Sequence, residues 1–170
     1  MLTIRKMQLE DLEGVMQIQA RCYRGNIPES KTSLVAKWFA SPDTCFIALA
    51  DHSMVGYLFS LPWTSSAPPQ LNARECELPP TPDCLYLHDL SVHPDWRNKQ
   101  VGKLLVDQFF VTLSTQAWPQ ACLVAVQDST SYWSRYGFQV VVLATDKQIK
   151  LESYGKDARF MSLSRSEASN

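Results

Sequence analysis

The chain has 170 residues, a formal net charge of −1 and a hydrophobic content of 45%. This length and composition argue against a disordered chain and predict one domain over residues 1–164, followed by a short polar tail at 165–170. A net charge near zero gives no reason to expect a nucleic-acid partner. We also expect no membrane association, because no apolar run is long enough to span a bilayer and no signal peptide is recognisable.

The five cysteines bear on the cellular compartment. They form no CxxC pair and show no spacing with histidine that is typical of a metal site. Their odd number favours free thiols over a disulfide framework. The sequence therefore predicts a cytoplasmic protein without a bound metal, and it leaves the oligomeric state, including a homodimer, open.

Apolar periodicity and turn residues predict alternating strands and helices. In chain order these are a strand at 2–6, helices at 11–23 and 29–39, strands at 45–50, 55–61 and 84–92, a helix at 99–118, a strand at 122–126, a helix at 129–135, and strands at 138–143 and 158–163. The order β-α-α-β-β-β-α-β-α-β-β predicts an α/β (α+β) fold and not a doubly wound repeat.

One long loop interrupts this pattern at residues 62–83, and it holds six of the ten prolines. A loop of this length in a compact domain is usually functional or disordered. The segments on either side are too short to fold alone, so a domain linker is disfavoured. We interpret the loop as a flap on the substrate side.

The most informative segment is LHDLSVHPDWRNKQVGKLLV, residues 87–106. A strand leads through a Pro and a basic turn into a long apolar helix. The N-terminus of this helix has unpaired N–H groups and the positive end of the helix dipole, and the cations Arg97, Lys99 and Lys103 lie near it. Such a helix N-terminus suits a phosphate or pyrophosphate, and Gly102 would let that group approach the backbone. An ordinary solvated basic cap is the alternative.

This segment resembles motif A of the GNAT superfamily, the acetyl-CoA-dependent N-acetyltransferases. The motif reads roughly Arg/Gln-x-x-Gly-x-Gly/Ala after a strand that ends in Val-x-Pro. Arg97 and Gly102 match its ends, whereas Asn98 and Gln100 stand where glycines are usual.

Two further segments resemble the same superfamily. Gly137-Phe138 matches the end of motif B, in which Trp133 replaces the usual Tyr, and residues 154–161 are similar to the last loop and strand. Ser129 or Thr130 is predicted to cap the motif B helix. The resemblances cover most of the chain and imply a mixed, mostly antiparallel central sheet flanked by helices.

The resemblance also implies an activity. The expected reaction moves an acetyl group from the co-substrate acetyl-CoA to a primary amine of a small molecule or peptide, directly within a ternary complex. A non-catalytic acyl-CoA-binding or sensor module is the alternative. The expected cofactor contacts are Leu90, Ser91, Val92, Arg97, Asn98, Lys99, Gln100, Val101, Gly102, Lys103, Ser129 and Trp133.

His88 is the predicted general base, with Tyr86 as its companion. Imidazole titrates near pH ~6.5, which suits proton transfer at neutral pH. In a regular strand Tyr86 and His88 project on one face and Asp89 on the other, unless a bulge intervenes. A core histidine bonded to the backbone is the alternative for His88, and Asp89 is expected to be structural.

The acceptor side and the leaving group are less determined. Tyr23, Glu29 and Trp63 could line the acceptor side, where Glu29 would favour a cationic amine and Trp63 an aromatic or methylene chain. The alternative roles are a core residue for Tyr23, an acid at the start of a helix for Glu29 and an anchor of the loop for Trp63. The indole of Trp133 cannot act as the acid that a Tyr would supply, so we expect it to pack on the pantetheine arm.

Overall fold

The computed structural model describes residues 1–23 and 28–165. Its elements are β1 (Leu2–Lys6), α1 (Leu12–Cys22), α2 (Lys31–Ala40), β2 (Phe46–Ala50), β3 (Ser53–Trp63), β4 (Cys84–Val92), α3 (Val101–Thr115), β5 (Gln120–Ala125), α4 (Thr130–Ser134), β6 (Gln139–Val140), α5 (Thr145–Glu152) and β7 (Arg159–Ser164). The seven strands form one sheet in the order β1-β2-β3-β4-β5-β7-β6. Only β4 and β5 pair in parallel, so the mostly antiparallel sheet is confirmed.

Helices cover both faces of the sheet. The predicted apolar stripe of α3 is buried at Val101, Leu105, Phe109 and Leu113, and it packs on one face. The apolar residues of α1 and α2 pack on the opposite face with parts of β2 and β3. Within the described part of the chain, no helix is long and apolar enough to cross a membrane.

Two predictions about the C-terminal third were wrong. The segment at 138–143 is a strand only over Gln139–Val140, and α5 was not predicted at all. Leu151 is the only buried residue of α5, so this helix lacks the repeated apolar face by which sequence patterns identify helices. Gly137 has φ +101°, as the predicted end of α4 requires.

Two irregularities of β4 create the site. Against β3, Asp89 pairs with Phe59 and Leu87 pairs with Ser60, so His88 is the extra residue of a β-bulge. On the other side, the parallel pairing with β5 ends at Leu87 and Leu123. Beyond this point β4 runs on without β5, and a cavity opens where the two strands part.

The proline-rich loop is fastened at both ends. β3 continues to Trp63, two residues beyond its predicted end, and the loop follows at 64–83. Asp83 accepts hydrogen bonds from the Ser65 amide at 2.7 Å and the Ser65 hydroxyl at 2.8 Å. The indole N–H of Trp63 donates to the Ala67 carbonyl at 3.1 Å. These contacts hold the ends of the loop at the end of β3 and the start of β4.

Candidate active site

The candidate site is a cavity of about 800 Å³ that runs from the turn before α3 to the buried side chains around His88. Its wall includes the predicted cofactor residues Leu90, Ser91, Val92, Arg97, Asn98, Gln100, Val101, Gly102, Lys103, Ser129 and Trp133. The structure thus brings together residues from β4, the turn, α3 and α4. Sequence reasoning missed other lining residues: Gln19, Cys22, Leu71, Trp96, Leu123, Val124, Val126, Gln127, Tyr132, Arg135, Tyr136 and Tyr154.

The turn before α3 has the backbone of a glycine-rich turn without its glycines. Asn98 has φ 61° and Gln100 has φ 70°, both in the left-handed region. The first helical hydrogen bond runs from Leu104 N to Gln100 O at 3.0 Å. The amides of the three residues before Leu104 are therefore not used by the helix and can bind an anion. Asn98 and Gln100 therefore adopt the left-handed backbone that glycines at these positions would favour.

The packing of the protein does not require a glycine at position 102. A Cβ added here would meet the Tyr132 hydroxyl at 3.4 Å and Val92 Cγ2 at 3.7 Å, which are ordinary contact distances. The chain itself therefore tolerates a side chain at this position. Because Gly102 also lines the cavity, its missing Cβ fits the close approach of a ligand.

The three cations of the turn are not equivalent. Arg97 and Lys103 line the cavity, and Lys103 also pairs with Asp107 at 2.7 Å on the exposed face of α3. Lys99 Nζ lies 4.9 Å from the centre of the Trp96 ring. In the described chain Lys99 is not part of the cavity wall, so its predicted role in cofactor binding rests on its charge alone.

The α4 side of the cavity is aromatic. Trp133 is buried, and its ring lies 4.9 Å from that of Tyr132 and 5.9 Å from that of Phe138. Tyr132 and Tyr136 also line the cavity. Ser129 stands at the N-cap of α4, as predicted, but its side chain makes no capping hydrogen bond.

At the opposite end, Glu29 binds His88 and does not face the cavity as a free carboxylate. Nε2 of His88 is hydrogen-bonded to Glu29 Oε1. Glu29 Oε2 accepts from Lys37 Nζ at 2.8 Å, Ser33 Oγ at 2.6 Å and the Asn72 amide at 3.2 Å. Burial by itself would raise the pKa of Glu29, but the charges and hydrogen bonds of His88 and Lys37 hold it well below its usual range.

Glu29 lines the cavity, as predicted, but both of its carboxylate oxygens are bonded to the protein. It is therefore not free to pair with a cationic amine. Glu29 is also not the first acid of α2, because α2 is capped by Ser30, whose hydroxyl accepts from the Ser33 amide. Ser33, Lys37 and Asn72 were not singled out by sequence reasoning.

His88 and Tyr86 lie together, as predicted. Their ring centroids are 5.9 Å apart. Among the described residues, His88 Nδ1 and the Tyr86 hydroxyl are buried polar atoms without a hydrogen-bond partner. Tyr86 is fully buried and is not among the described residues that line the cavity. Burial raises the pKa of Tyr86 well above its usual value. A phenol in this environment stays protonated, which suits a donor better than a base.

Asp89 is structural, as expected, although the bulge places it toward α1. It accepts from Tyr23 Oη at 2.5 Å, Tyr57 Oη at 2.8 Å and Ser91 Oγ at 3.3 Å. Burial raises the pKa of Asp89 in spite of these donors. Tyr23 does line the cavity, and its hydroxyl is engaged by Asp89.

Trp63 is the loop anchor of the alternative interpretation and not an acceptor-side residue. It packs against the apolar cluster of Tyr86 and Tyr154 and is absent from the cavity wall as far as the described chain goes. Leu71 and Tyr154 line the cavity instead. The Tyr154 hydroxyl donates to the Pro69 carbonyl at 2.6 Å, which connects the proline-rich loop to this wall.

The sequence model of the Acetyltransferase (GNAT) family matches residues 12–138, most of the chain. The chain belongs to this family. No curated protein matches the sequence. GNAT acetyltransferases therefore provide the framework for interpreting the cavity.

Solved structures show the same fold at low sequence identity. The loading GNATL domain of CurA from Lyngbya majuscula is 12% identical, covers 98% of each chain and has a TM-score of 0.77. PaiA N-acetyltransferase from Thermoplasma acidophilum, in complex with coenzyme A, is 16% identical over 96% of this chain and 99% of its own, with a TM-score of 0.67. Arabidopsis thaliana Naa50, in complex with the bisubstrate analogue CoA-Ac-MVNAL, is 14% identical over 96% and 98%, with a TM-score of 0.68.

The residues at the turn fit coenzyme A. Unused amides, left-handed backbone at two positions, a glycine open to the cavity and two lining cations suit a pyrophosphate. The described residues contain no group of three side chains that could hold a metal ion. The expectation that no metal is needed stays a prediction.

Proposed function

We propose that the protein transfers an acetyl group from acetyl-CoA to a primary amine of a small molecule or peptide, directly within a ternary complex. The observation that carries this proposal is one continuous cavity with an anion-binding turn at one end and a buried imidazole at the other. The Naa50 complex supports the amine class, because its ligand joins CoA to an acetylated peptide.

The reaction needs a proton acceptor, since only about one in a few thousand alkyl amines is neutral at pH 7. His88 takes one proton from the ammonium group. The neutral nitrogen then forms a C–N bond with the acetyl carbon, and the C–S bond breaks. The second nitrogen proton goes to the departing sulfur, and His88 returns its proton to water. The products are an amide, a thiol and one proton.

The departing thiolate needs little help. A thiol with a pKa near ~8.5 is already a fair leaving group, so an acid at the Trp133 position is dispensable. Direct transfer is supported by the cysteines. Cys22 is the cysteine that lines the cavity, and burial raises its pKa, which makes it a weak nucleophile.

A thiol-release assay tests this function. Acetyl-CoA is offered together with arylalkylamines, polyamines, amino acids and peptides with free N-termini. We expect thiol release that depends on one of these amine classes. A variant with all five cysteines replaced by Ala or Ser should remain active if it folds. Loss of activity traced to one thiol would exclude direct transfer.

The second candidate is a non-catalytic acyl-CoA sensor, which Trp133 favours because the usual acid is missing there. Calorimetry distinguishes the two: tight acetyl-CoA binding without turnover on any amine of the panel would establish the sensor. We also propose a cytoplasmic location, supported by the five free cysteines and testable by cell fractionation.

A further inference from the structure

The ionisation of Glu29 determines which nitrogen of His88 carries the proton. The Glu29 side chain is 4% exposed and that of His88 is 1% exposed, so water does not compete for their contact. An ionised carboxylate can only accept hydrogen bonds. The proton of the neutral imidazole therefore lies on Nε2, and the lone pair lies on Nδ1.

Nδ1 is the atom that the protein leaves without a partner among its described residues. A buried polar atom without a partner is costly, and such atoms usually mark a functional contact. The Tyr86 hydroxyl, also without a partner, lies in the neighbouring ring. Nδ1 is thus the unpaired acceptor of a side chain that lines the cavity, and the Tyr86 hydroxyl is an unpaired donor in the buried ring beside it.

We propose that Glu29 is a positioning residue that holds His88 with Nδ1 as the proton acceptor, and that Lys37 is the buried counter-ion that keeps Glu29 ionised. This inference rests on the proposed function of His88. It adds that Nδ1 takes the proton from the ammonium group while Nε2 stays bonded to Glu29, so the new positive charge forms beside a carboxylate.

Lys37 has a distinct part in this arrangement. Its side chain is 2% exposed, and its Nζ contacts Oε2 of Glu29 and the Ser33 hydroxyl, the latter at 2.9 Å. A buried carboxylate without a counter-ion would be protonated instead of ionised. Because Lys37 binds only Oε2, it leaves Oε1 free to orient His88.

Among the described neighbours of the ring, Glu29 is the carboxylate bonded to the imidazole, whereas the Asp89 carboxyl is bonded to three hydroxyl groups instead. The remaining titratable groups that face His88 or its partner Glu29 are Asp89, Tyr86, Tyr154 and Cys76. Burial raises the pKa of each of these groups, which disfavours their anionic forms. Glu29 is the acid of this cluster whose pKa is lowered.

The test uses the double variant Glu29→Gln/Lys37→Met, which removes both charges together. A single change would leave a buried charge uncompensated and could prevent folding. Nitrogen NMR of the imidazoles in the free protein reports the tautomer, and only three histidines need assignment. In the wild type we expect His88 to be protonated on Nε2 and not on Nδ1 at a pH above its titration. In the double variant this preference should weaken.

Kinetics give the second measurement. In the double variant kcat should fall by about tenfold to a hundredfold, part of the 10²–10⁴ that a positioned base contributes. The KM for acetyl-CoA should not change. A purely structural role would lower the folded fraction and leave kcat per folded molecule at the wild-type value.

The matched control is Glu13→Gln/Lys31→Met, which removes an exposed ion pair that also involves α2. It should leave the tautomer and kcat unchanged. An Nδ1-protonated His88 in the wild type, or an unaltered tautomer and kcat in a folded double variant, would overturn the inference. If the wild type acetylates no amine, the proposed function fails, and the NMR result still decides the orientation of His88.

Discussion

The two ends of the cavity are built in different ways. At the turn, the groups that face the cavity are mainly backbone amides, and they come from one short segment within residues 97–103. The base end is built from the side chains of Glu29, Lys37 and His88 and from the Asn72 amide, which come from three separate parts of the chain. A backbone-built end should tolerate changes of side chain that leave φ and ψ intact. A side-chain network should fail when one member is replaced.

The largest expected effect is at the base end. His88→Ala should lower kcat near neutral pH by about 10²–10⁴, the contribution of a positioned base. Activity should recover at high pH, where the free amine is abundant, and calorimetry should show unchanged CoA affinity. His52→Ala, in the exposed β2–β3 turn, is the control. Identical pH–rate profiles for His88→Ala and the wild type would remove His88 from the mechanism.

At the turn, Gly102→Asp should weaken CoA binding by about a hundredfold or ~3 kcal/mol, because it adds like charge and a side chain where the pyrophosphate approaches. The protein should stay folded, since the Cβ has ordinary contacts and an acid suits a helix N-terminus. Gly102→Ala, without the charge, should lose less affinity. Unchanged affinity in Gly102→Asp would place the cofactor elsewhere.

The base end should also make the stability of the protein depend on pH, through the buried carboxylate of Glu29. The folded-state pKa of Glu29 is lowered, so its stabilisation is present above the unfolded pKa of ~4.3 and is lost as the pH falls toward the folded value. Denaturant unfolding of the wild type should therefore lose about 2 kcal/mol more between neutral and acid pH than Glu29→Gln/Lys37→Met. The exposed-pair variant Glu13→Gln/Lys31→Met should follow the wild type. Parallel curves for all three proteins would contradict this assignment.

The smallest effect is expected from the strained turn. Gln100 has φ 70°, which costs a side chain about 1–2 kcal/mol, so Gln100→Gly should stabilise the protein by about 0.5 kcal/mol after the entropy of glycine is deducted. Gln116→Gly, where φ is −85°, has no strain to relieve and should destabilise it. Chemical denaturation measures both. A less stable Gln100→Gly variant would mean that the side chain contributes more than the strain costs.

The same contrast explains what the sequence could predict. The turn and the α3 stripe depend on neighbouring residues and helical spacing, so both were predicted. The partners of His88 could not be, because no local pattern connects Glu29 and Asn72 to a strand at 84–92. A weak signal existed: Ser33 and Lys37 follow Glu29 at intervals of four residues, which places them along one side of a helix. That spacing does not predict that Glu29 contacts His88.

The bulge at His88 has a consequence for how β4 can vary. It places two consecutive residues, His88 and Asp89, on the same side of the sheet, which a regular strand cannot do. Strict alternation along the whole of β4 would turn Leu90 and Val92 from the α3 core toward the tyrosine pair of Asp89. Loss of the extra residue would keep Leu90 and Val92 on the α3 side, but it would leave one position where His88 and Asp89 now stand. A comparison of relatives by hydrophobic alternation alone would misplace every β4 residue on one side of this point.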